Sequence, residues 1–349
     1  IESAANASTD KIHKLWEGLG YYTRVRNLQK AAQQIVKSGK RKAESGTIKF
    51  PETFDDVLAL PGIGRYTAGA ICSIAFNQPT PILDGNVIRV LTRIFGIAEN
   101  PKEKKTNARL WKLAEELVGF AKEIRWGERP REPDFARQRR TAARGDTRPT
   151  SEPNCSHLNQ SLMELGALIC TPRNPQCLIC PVQKLCVAFK ENRVDELPNL
   201  GKRESVTARK FVAFVIEHDG KFLVRQRPAG IVNAHLWEFP NFEISGKIEN
   251  TKKIFQSQFG FAPTNLQLLG TVKHSITRYR ITVEAFRVNL SKNKIHVRIC
   301  SGGTGDSPVP PKPEHRQIWL SPKEFDSLAF TAAHKKLAGF AADCILSGR

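Results

Sequence analysis

Apolar side chains recur at helical spacing along the first half of the chain. One stripe follows residues 68–75, a second follows 87–94, and a third follows 158–169. Apolar positions three, four and seven residues apart form one buried face of an amphipathic helix. We therefore expect a mainly α-helical first half whose core contains Ala68, Ile71, Cys72, Ala75, Val87, Val90, Leu91, Ile94, Leu158, Leu162, Leu165 and Ile169.

The second half changes to the pattern typical of β-strands. Residues 210–227 form two β-rich runs around Asp219 and Gly220, a pair that favours a hairpin, and residues 271–288 are strand-like too. Short helices are predicted near 250–259 and 331–346, which makes this half an α+β domain.

A polar stretch separates the two halves. We predict a helical domain over 1–190, a linker over 191–208 and an α+β domain over 209–349. Residues 125–153 hold almost no apolar side chains and residues 302–313 are rich in Gly and Pro. Both stretches are therefore predicted to be loops.

Length and charge limit the class of protein. The 349 residues exceed what one core usually serves. Lys plus Arg exceed Asp plus Glu by 54 to 34, and the formal net charge of +20 is typical of proteins that meet phosphate backbones. A solvated basic face would show the same excess. No apolar run approaches the roughly 18 residues of a membrane helix, so we expect no membrane partner and a cytoplasmic address, nucleoid-associated in a bacterium.

Four cysteines fall between residues 170 and 186. Cys170, Cys177, Cys180 and Cys186 have the spacing C-x6-C-x2-C-x5-C. A structural zinc site more often shows two short pairs, whereas one tight pair between two wider arms suits a bulkier cluster held by four thiolates. We predict a [4Fe–4S] cluster, with zinc and unliganded thiols as the alternatives.

A glycine turn precedes the first helical stripe. In LPGIGRYTAGAI, residues 60–71, Pro61, Gly62 and Gly64 make a tight turn that runs into a predicted helix. Exposed N–H groups at a helix N-terminus attract anions, and such a turn can bind a DNA phosphate without reading sequence. A short glycine turn alone is a weak signal.

The order of these motifs resembles that of the helix-hairpin-helix DNA glycosylases of the endonuclease III superfamily. A glycine hairpin is followed by ILDGNVIRVLTRIFG, residues 82–96, and then by the four-cysteine loop. Within that superfamily, residues 14–32, 50–71 and 162–177 are similar to the adenine DNA glycosylases of the MutY family. Residues 208–349 more weakly resemble the Nudix-like domain of that family.

The resemblance implies a DNA repair activity. A monomer would remove adenine opposite 8-oxoguanine or guanine from double-stranded DNA by hydrolysis. Asp84 would stabilise the oxocarbenium-like sugar, with Tyr66 close to the sugar and Asn86 orienting the site. Without the resemblance, Asp84 would be interpreted as the N-cap of a helix over 87–95. Tyr66 stands where endonuclease III relatives have a lysine, and it has no amine for a Schiff base, so strand cleavage is not expected.

The resemblance also implies contacts with DNA. Tyr21 would wedge into the base stack and Glu164 would line the adenine pocket, although a core tyrosine and a solvent-facing glutamate are the alternatives. Contacts with the DNA backbone are implied for Leu60, Pro61, Gly62, Gly64, Arg65, Thr67, Arg173 and Lys184.

The C-terminal half departs from the family at two points. After WEFPNFEI, residues 237–244, nothing matches the acidic box that holds Mg²⁺ in Nudix hydrolases, so diphosphate hydrolysis is not expected. Where the family inspects 8-oxoguanine with Phe-Ser-His, this chain has Ile276, Thr277 and Arg278. Thr277 keeps a hydroxyl, and we expect discrimination that is weaker or shared with His274 and Arg278.

The general acid of the family belongs to a helix upstream of the first residue. The chain starts with Ile1 and its only methionine is Met163, so we interpret it as an N-terminally truncated form. Because adenine leaves poorly without protonation, we expect residues 1–349 to bind DNA and to excise adenine very slowly or not at all. A catalytically inactive lesion-binding module and an endonuclease III-like glycosylase/lyase remain as alternatives.

Overall fold

The structure, a computed structural model, describes residues 1–38, 48–123, 154–201, 205–244, 251–263, 265–290 and 316–346. The loops predicted at 125–153 and 302–313 lie outside these residues. The chain divides into two compact units, one formed by Ile1–Gln33 with Glu204–Arg349 and the other by Gln34–Arg203.

Helices dominate the described part of the first half. From the N-terminus they are α1 (Glu2–Asn6), α2 (Thr9–Leu15), α3 (Thr23–Ser38), α4 (Phe54–Leu58), α5 (Arg65–Phe76), α6 (Gly85–Ile94), α7 (Lys104–Glu123), α8 (Cys155–Glu164) and α9 (Val187–Lys190). A π-helical segment, Leu165–Ile169, continues α8, and two 3-10 turns, Cys177–Ile179 and Gln183–Leu185, shape the cysteine loop.

The predicted apolar stripes form the core of the helical unit. Val87, Val90 and Leu91 of α6 are fully buried, and Val87 and Leu91 share an apolar cluster with Leu110 of α7. In α5 the stripe ends one turn early, because Ala75 is exposed while Cys72 is fully buried. Helix α6 therefore lies at the centre of this unit, with its first turn at the candidate site.

One sheet forms the framework of the other unit. Its strands are β1 (Thr207–His218), β2 (Lys221–Gln226), β3 (Trp237–Glu238), β4 (Asn241–Ile244), β5 (Gln267–Ile276), β6 (Tyr279–Asn289) and β7 (Gln317–Leu320). The strand order is β3-β2-β1-β6-β5, with β4 beside β1 and β7 beside β2. Strands β1 and β6 run parallel and the other named pairs antiparallel. The helices are α10 (Thr251–Phe259) and α11 (Ala332–Leu346), with a 3-10 turn at Pro322–Ser327.

Alternate residues of β1 enter two cores on opposite faces of this sheet. Phe214 packs in a cluster with Phe255 of α10. Val215, on the other face, shares a cluster with Leu337 of α11. The sheet is thus covered on both faces, as its long apolar strand predicts.

The first three helices contribute to the same unit as the sheet. Ile12 and Tyr22 form an apolar cluster with Leu236 and Ala329. This packing unit does not coincide with the domain predicted for residues 1–190, and the domain boundaries stay predictions. Across the described ranges, no helix combines the length and hydropathy that crossing a bilayer requires.

Candidate functional site

A glycine hairpin leaves amide groups open at the start of α5. Gly62 adopts a left-handed φ of +76°, which favours a residue without a Cβ. The turn closes when the Ile63 N–H donates to the Leu60 carbonyl at 3.1 Å. Gly64 is the N-cap of α5 and provides no side-chain cap. The first amides of the helix can therefore bind an anion from outside the protein.

The predicted hairpin residues lie on this one turn. Leu60 is buried and anchors it, Gly62, Gly64 and Arg65 are exposed, and Pro61 and Thr67 are half-buried. The Arg65 guanidinium lies 4.0 Å from the centroid of the Trp111 ring. This cation–π contact holds a positive charge beside the open amides.

Asp84 caps the helix that carries the candidate chemistry. Its Oδ1 accepts a 2.8 Å hydrogen bond from the Val87 N–H, and its Oδ2 faces the Asn86 side-chain amide at 3.4 Å. The N-cap interpretation is therefore correct. It leaves Oδ2 with one long contact, so the carboxylate can cap α6 and still present a negative charge to a ligand.

Tyr66 lies within electrostatic range of this carboxylate. Burial, followed by the negative charge of Asp84, raises the pKa of the Tyr66 phenol above its usual range. The hydroxyl also lies 3.6 Å from the Met163 sulfur. Three predicted residues, Tyr66, Asp84 and Asn86, are thus brought together, and the end of α8 closes one side of the group.

A buried arginine, which the sequence motifs did not predict as a site residue, positions Asn86. Arg89 donates to Asn86 Oδ1 at 2.9 Å and to the Cys170 carbonyl at 2.7 Å, and it also bonds the Gly166 carbonyl. A Cβ on Gly166 would lie 2.8 Å from the Asn86 Cβ, so the π-helical segment approaches α6 closely. Asn86 is therefore fixed by contacts that also reach the first cysteine of the loop.

The four cysteines line one cavity. Val90, Leu165 and Phe189 contribute apolar walls. Burial, followed by the neighbouring thiols, raises the pKa of Cys177. Among the described residues, no group of three or more His, Cys, Asp or Glu side chains converges on a point where one metal ion could bind. A cavity ringed by sulfur fits a multi-atom cluster better than a single zinc ion.

The basic residues of the cysteine loop face outward. Arg173 and Lys184 are exposed, and the Thr171 hydroxyl fixes the first of them by donating to the Arg173 carbonyl at 2.9 Å. Glu164 is also exposed, at the end of α8. Its position beside Met163 is compatible with a pocket residue and with a solvent-facing glutamate.

Tyr21 belongs to the other unit, in the turn before α3. Its side chain is 70% exposed and its φ is +46°. The Arg24 guanidinium lies 5.1 Å from the ring centroid. The core-aromatic interpretation is wrong for this residue, since the ring is presented to solvent with a cation beside it.

The predicted base-recognition residues gather at the hairpin between β5 and β6. Ile276 pairs with Tyr279, so Thr277 and Arg278 form a two-residue turn, and both are exposed. Thr277 has a φ of +52°. The Arg278 guanidinium lies 5.3 Å from the Tyr279 ring centroid. His274 is half-buried on β5, and burial followed by the charge of Lys336 lowers its pKa.

A buried ion cluster in the sheet was also missed. Glu238 of β3 pairs with Arg225 and Arg227. Burial favours the neutral acid, but the electrostatic interactions with His334, Arg227 and Arg225 outweigh it and lower the pKa of Glu238. In the described part of α10 the sequence TKKIFQSQF contains no carboxylate. The acidic side chain of the WEFP motif is thus engaged in ion pairs with two arginines.

Residues of both units are similar in sequence to known proteins. The family described as HhH-GPD superfamily base excision DNA repair protein matches residues 1–116, and the NUDIX domain matches 211–339. The iron-sulfur binding domain of endonuclease III matches 170–186. Human adenine DNA glycosylase is 30% identical over an alignment that covers 97% of this chain and 61% of the human protein. The enzyme of Buchnera aphidicola from Schizaphis graminum is 31% identical, over 83% of this chain and 72% of its own length.

The chain belongs to the adenine DNA glycosylase family.

Family membership confirms the fold class and the cofactor. A helix-hairpin-helix glycosylase domain is joined to a Nudix-like domain, and the segment 170–186 makes the chain a [4Fe–4S] protein. The chain spans 61% of the length of the human adenine DNA glycosylase and 64% of that of the rat protein.

Proposed function

We propose that this adenine DNA glycosylase family member removes adenine opposite 8-oxoguanine or guanine in duplex DNA, without cutting the strand. One observation carries the proposal most directly. Asp84 is fixed as an N-cap through Oδ1, its Oδ2 keeps one long contact with Asn86, and its negative charge helps to raise the pKa of the Tyr66 phenol. This arrangement offers an anion and no amine.

The anion suits cleavage of an N-glycosidic bond. As that bond breaks, its electron pair leaves with the base and the sugar gains oxocarbenium character. The Asp84 carboxylate stabilises this positive charge because it is already oriented by the Val87 N–H and does not have to reorganise. Water then adds to the sugar, and the departing adenine needs a proton.

Tyr66 distinguishes hydrolysis from strand cleavage. A lyase needs an amine that forms a Schiff base with the sugar. The raised pKa of Tyr66 keeps its phenol protonated at neutral pH, so it acts as a hydrogen-bond donor near the sugar. The endonuclease III-like alternative is disfavoured by this side chain.

DNA contacts follow from the open amides and the exposed cations. We assign backbone phosphate to the first turn of α5, beside Arg65, and to Arg173 and Lys184. Tyr21, exposed and flanked by Arg24, is assigned to stacking against a base. Glu164 is assigned to the adenine pocket, and His274, Thr277 and Arg278 to the base opposite adenine. A monomeric state and a cytoplasmic address also remain predictions.

The four loop cysteines are assigned as the cluster ligands. Cys170, Cys177, Cys180 and Cys186 border the same cavity, whose remaining walls are mostly apolar. When bound, the cluster supplies a fixed frame for the loop, and no chemical role in base release is needed. Arg173 and Lys184 would then be held in a constant geometry on the DNA backbone.

The test is single-turnover incubation with a duplex that contains adenine opposite 8-oxoguanine. We expect free adenine, however slowly it is released, and a strand that breaks only after alkali. Borohydride should trap no wild-type adduct, while a Tyr66→Lys variant serves as the control that supplies the amine. Strand cleavage without alkali, or a wild-type borohydride adduct, would contradict hydrolysis. Selective binding without any release would favour the inactive lesion-binding module.

A further inference from the structure

Arg93 is a buried cation on α6 at the wall of the cysteine cavity. Its side chain is 2% exposed. Its Nε donates to the Leu197 carbonyl at 2.8 Å, and Nη1 donates to the Thr171 carbonyl at 2.8 Å and to the Cys170 sulfur at 3.3 Å. Arg89, the other buried arginine of α6, donates to the carbonyl of Cys170 and not to its sulfur.

Among the described residues no carboxylate forms an ion pair with Arg93, whose guanidinium donates to two carbonyls and one sulfur. A buried charge costs several kcal/mol, as an order of magnitude, unless an opposite charge compensates it. Carbonyl dipoles satisfy the N–H groups but leave the net charge. A compensating anion is therefore expected on the side where Arg93 faces the cavity.

The proposed occupant of the cavity has the required charge. Four thiolates around a [4Fe–4S] core leave the whole group negative, and Cys170 would be the sulfur closest to that cation. Hydrogen bonds to ligand sulfurs stabilise the more negative, reduced form and so raise the reduction potential.

We propose that Arg93 is the counter-charge of the iron–sulfur cluster. It is a positioning residue that raises the reduction potential and holds Cys170 in place. The proposal rests on the assignment of the four cysteines as ligands. Iron and sulfide content of the wild-type protein tests that assignment separately, because a protein without iron would refute the ligation itself.

The first experiment compares Arg93→Met with wild type, each with the cluster and after its removal by a chelator. If Arg93 is a counter-charge, the substitution should change the melting temperature differently with and without the cluster. With the cluster, the variant should unfold at a temperature lower by at least about 2 °C. Without it, the variant should equal or exceed wild type, because the unpaired buried cation is gone. A merely structural role through Leu197 and Thr171 would lower both melting temperatures.

The second experiment measures the reduction potential of the cluster on the folded protein. Arg93→Met should shift the midpoint to a more negative value and speed the loss of the cluster to a chelator. Arg93→Lys keeps the charge, so its midpoint and its rate of cluster loss should lie between those of wild type and Arg93→Met. Arg109→Met removes an exposed charge from α7 and serves as the control, with an unchanged midpoint. A wild-type midpoint in loaded Arg93→Met, or equal losses of stability with and without cluster, would overturn the proposal. If Arg93→Met cannot be obtained with its cluster, the melting temperatures of the two cluster-free proteins decide: a variant less stable than wild type would overturn the proposal.

Discussion

Asp84 combines a structural role with the proposed catalytic one. Oδ1 caps α6 through the Val87 N–H, and the negative charge of the same carboxylate helps to raise the pKa of Tyr66. A cap is a local property that the sequence predicts, whereas the chemical environment depends on Tyr66 and Met163, which are distant in sequence. Separating the two roles requires a substitution that keeps the cap and removes the charge.

Asp84→Asn is that substitution. Asn is as good an N-cap as Asp, so we expect the free energy of unfolding to change by less than about 1 kcal/mol. Adenine release should fall by at least about 100-fold, since the anion that stabilises the sugar cation is lost. Urea unfolding and single-turnover base release check the two parts. Asp84→Ala, which also loses the cap, should lower both; a fully active Asp84→Asn would refute the role of the charge.

At the scale of elements, α6 reaches its position because the segment before it packs closely on α5. A Cβ built on Gly69 would lie 2.1 Å from the Pro81 carbonyl oxygen. Because Gly69 has no side chain, the Pro81 backbone can pass close to α5, and the chain then continues to Asp84. The glycine is therefore required by packing and not by its φ.

Gly69→Ala should disturb this approach. We expect a loss of about 1–3 kcal/mol in the free energy of unfolding, because backbone atoms must move to admit the methyl group, and slower base release through displaced Asp84. Gly119→Ala is a matched control within helix α7, where nothing lies within 4 Å of the new Cβ. The control should gain about 0.5–1 kcal/mol from helix propensity. Equal behaviour of the two variants in chemical unfolding would contradict the packing argument.

Sequence patterns predicted these elements unequally. The apolar stripe of α6, the hairpin before α5 and the β1–β2 turn at Asp219 and Gly220 are local features, and the structure contains all three. The buried arginines Arg89 and Arg93 were missed, although two arginines four residues apart within a buried stripe are a readable signal. Apart from Asn86, the groups that we describe them binding lie over 70 residues away, and no local pattern shows such partners.

At the scale of the whole molecule, the unit that contains the sheet holds two buried histidines among its described residues. His13 is 1% exposed, neither ring nitrogen has a hydrogen-bond partner, and its ring stacks on His235 with centroids 6.3 Å apart. Burial, followed by the charges of Arg26 and His235, lowers the pKa of His13 to about 4. Burial also lowers the pKa of His334 to about 4, although Glu238 opposes it.

This unit should therefore lose stability as the pH falls from about 6.5 toward 4. In this pH window the histidines of the unfolded chain take up protons, whereas those of the folded unit do not. Their contribution to the free energy of unfolding is therefore fully present above about pH 6.5 and is lost below it. Each histidine accounts for at most about 3 kcal/mol. Glu17 and Glu238, whose pKa values are lowered, add a loss at still lower pH. Urea unfolding at several pH values measures the slope.

Two variants test the source of that slope. His13→Phe keeps an aromatic ring of similar bulk and should reduce the pH dependence. Gln258→Ala, at an exposed position of α10 without an ionisable group, should leave it unchanged. Identical slopes in His13→Phe and wild type would show that His13 is not the group responsible.

The excess of positive charge predicts steeply salt-dependent binding. With a net charge of +20, the logarithm of DNA affinity should fall linearly with that of salt concentration. Arg173→Gln and Lys184→Gln should each reduce the slope by about 1 if each residue contacts one phosphate. Lys102→Gln removes an exposed charge that is assigned no DNA contact, and serves as the control. Unchanged slopes in both loop variants would exclude the cysteine loop from the DNA interface.

We propose that this chain recognises an adenine mispaired with 8-oxoguanine. The decisive experiment measures its affinity, with the cluster loaded, for a duplex that carries a non-excisable adenine analogue opposite 8-oxoguanine, compared with the same duplex carrying adenine opposite thymine. We expect at least about tenfold tighter binding to the mispair, roughly 1.4 kcal/mol, and no such preference for an oxidised pyrimidine. Equal affinity for the mispaired and the matched duplex would contradict it.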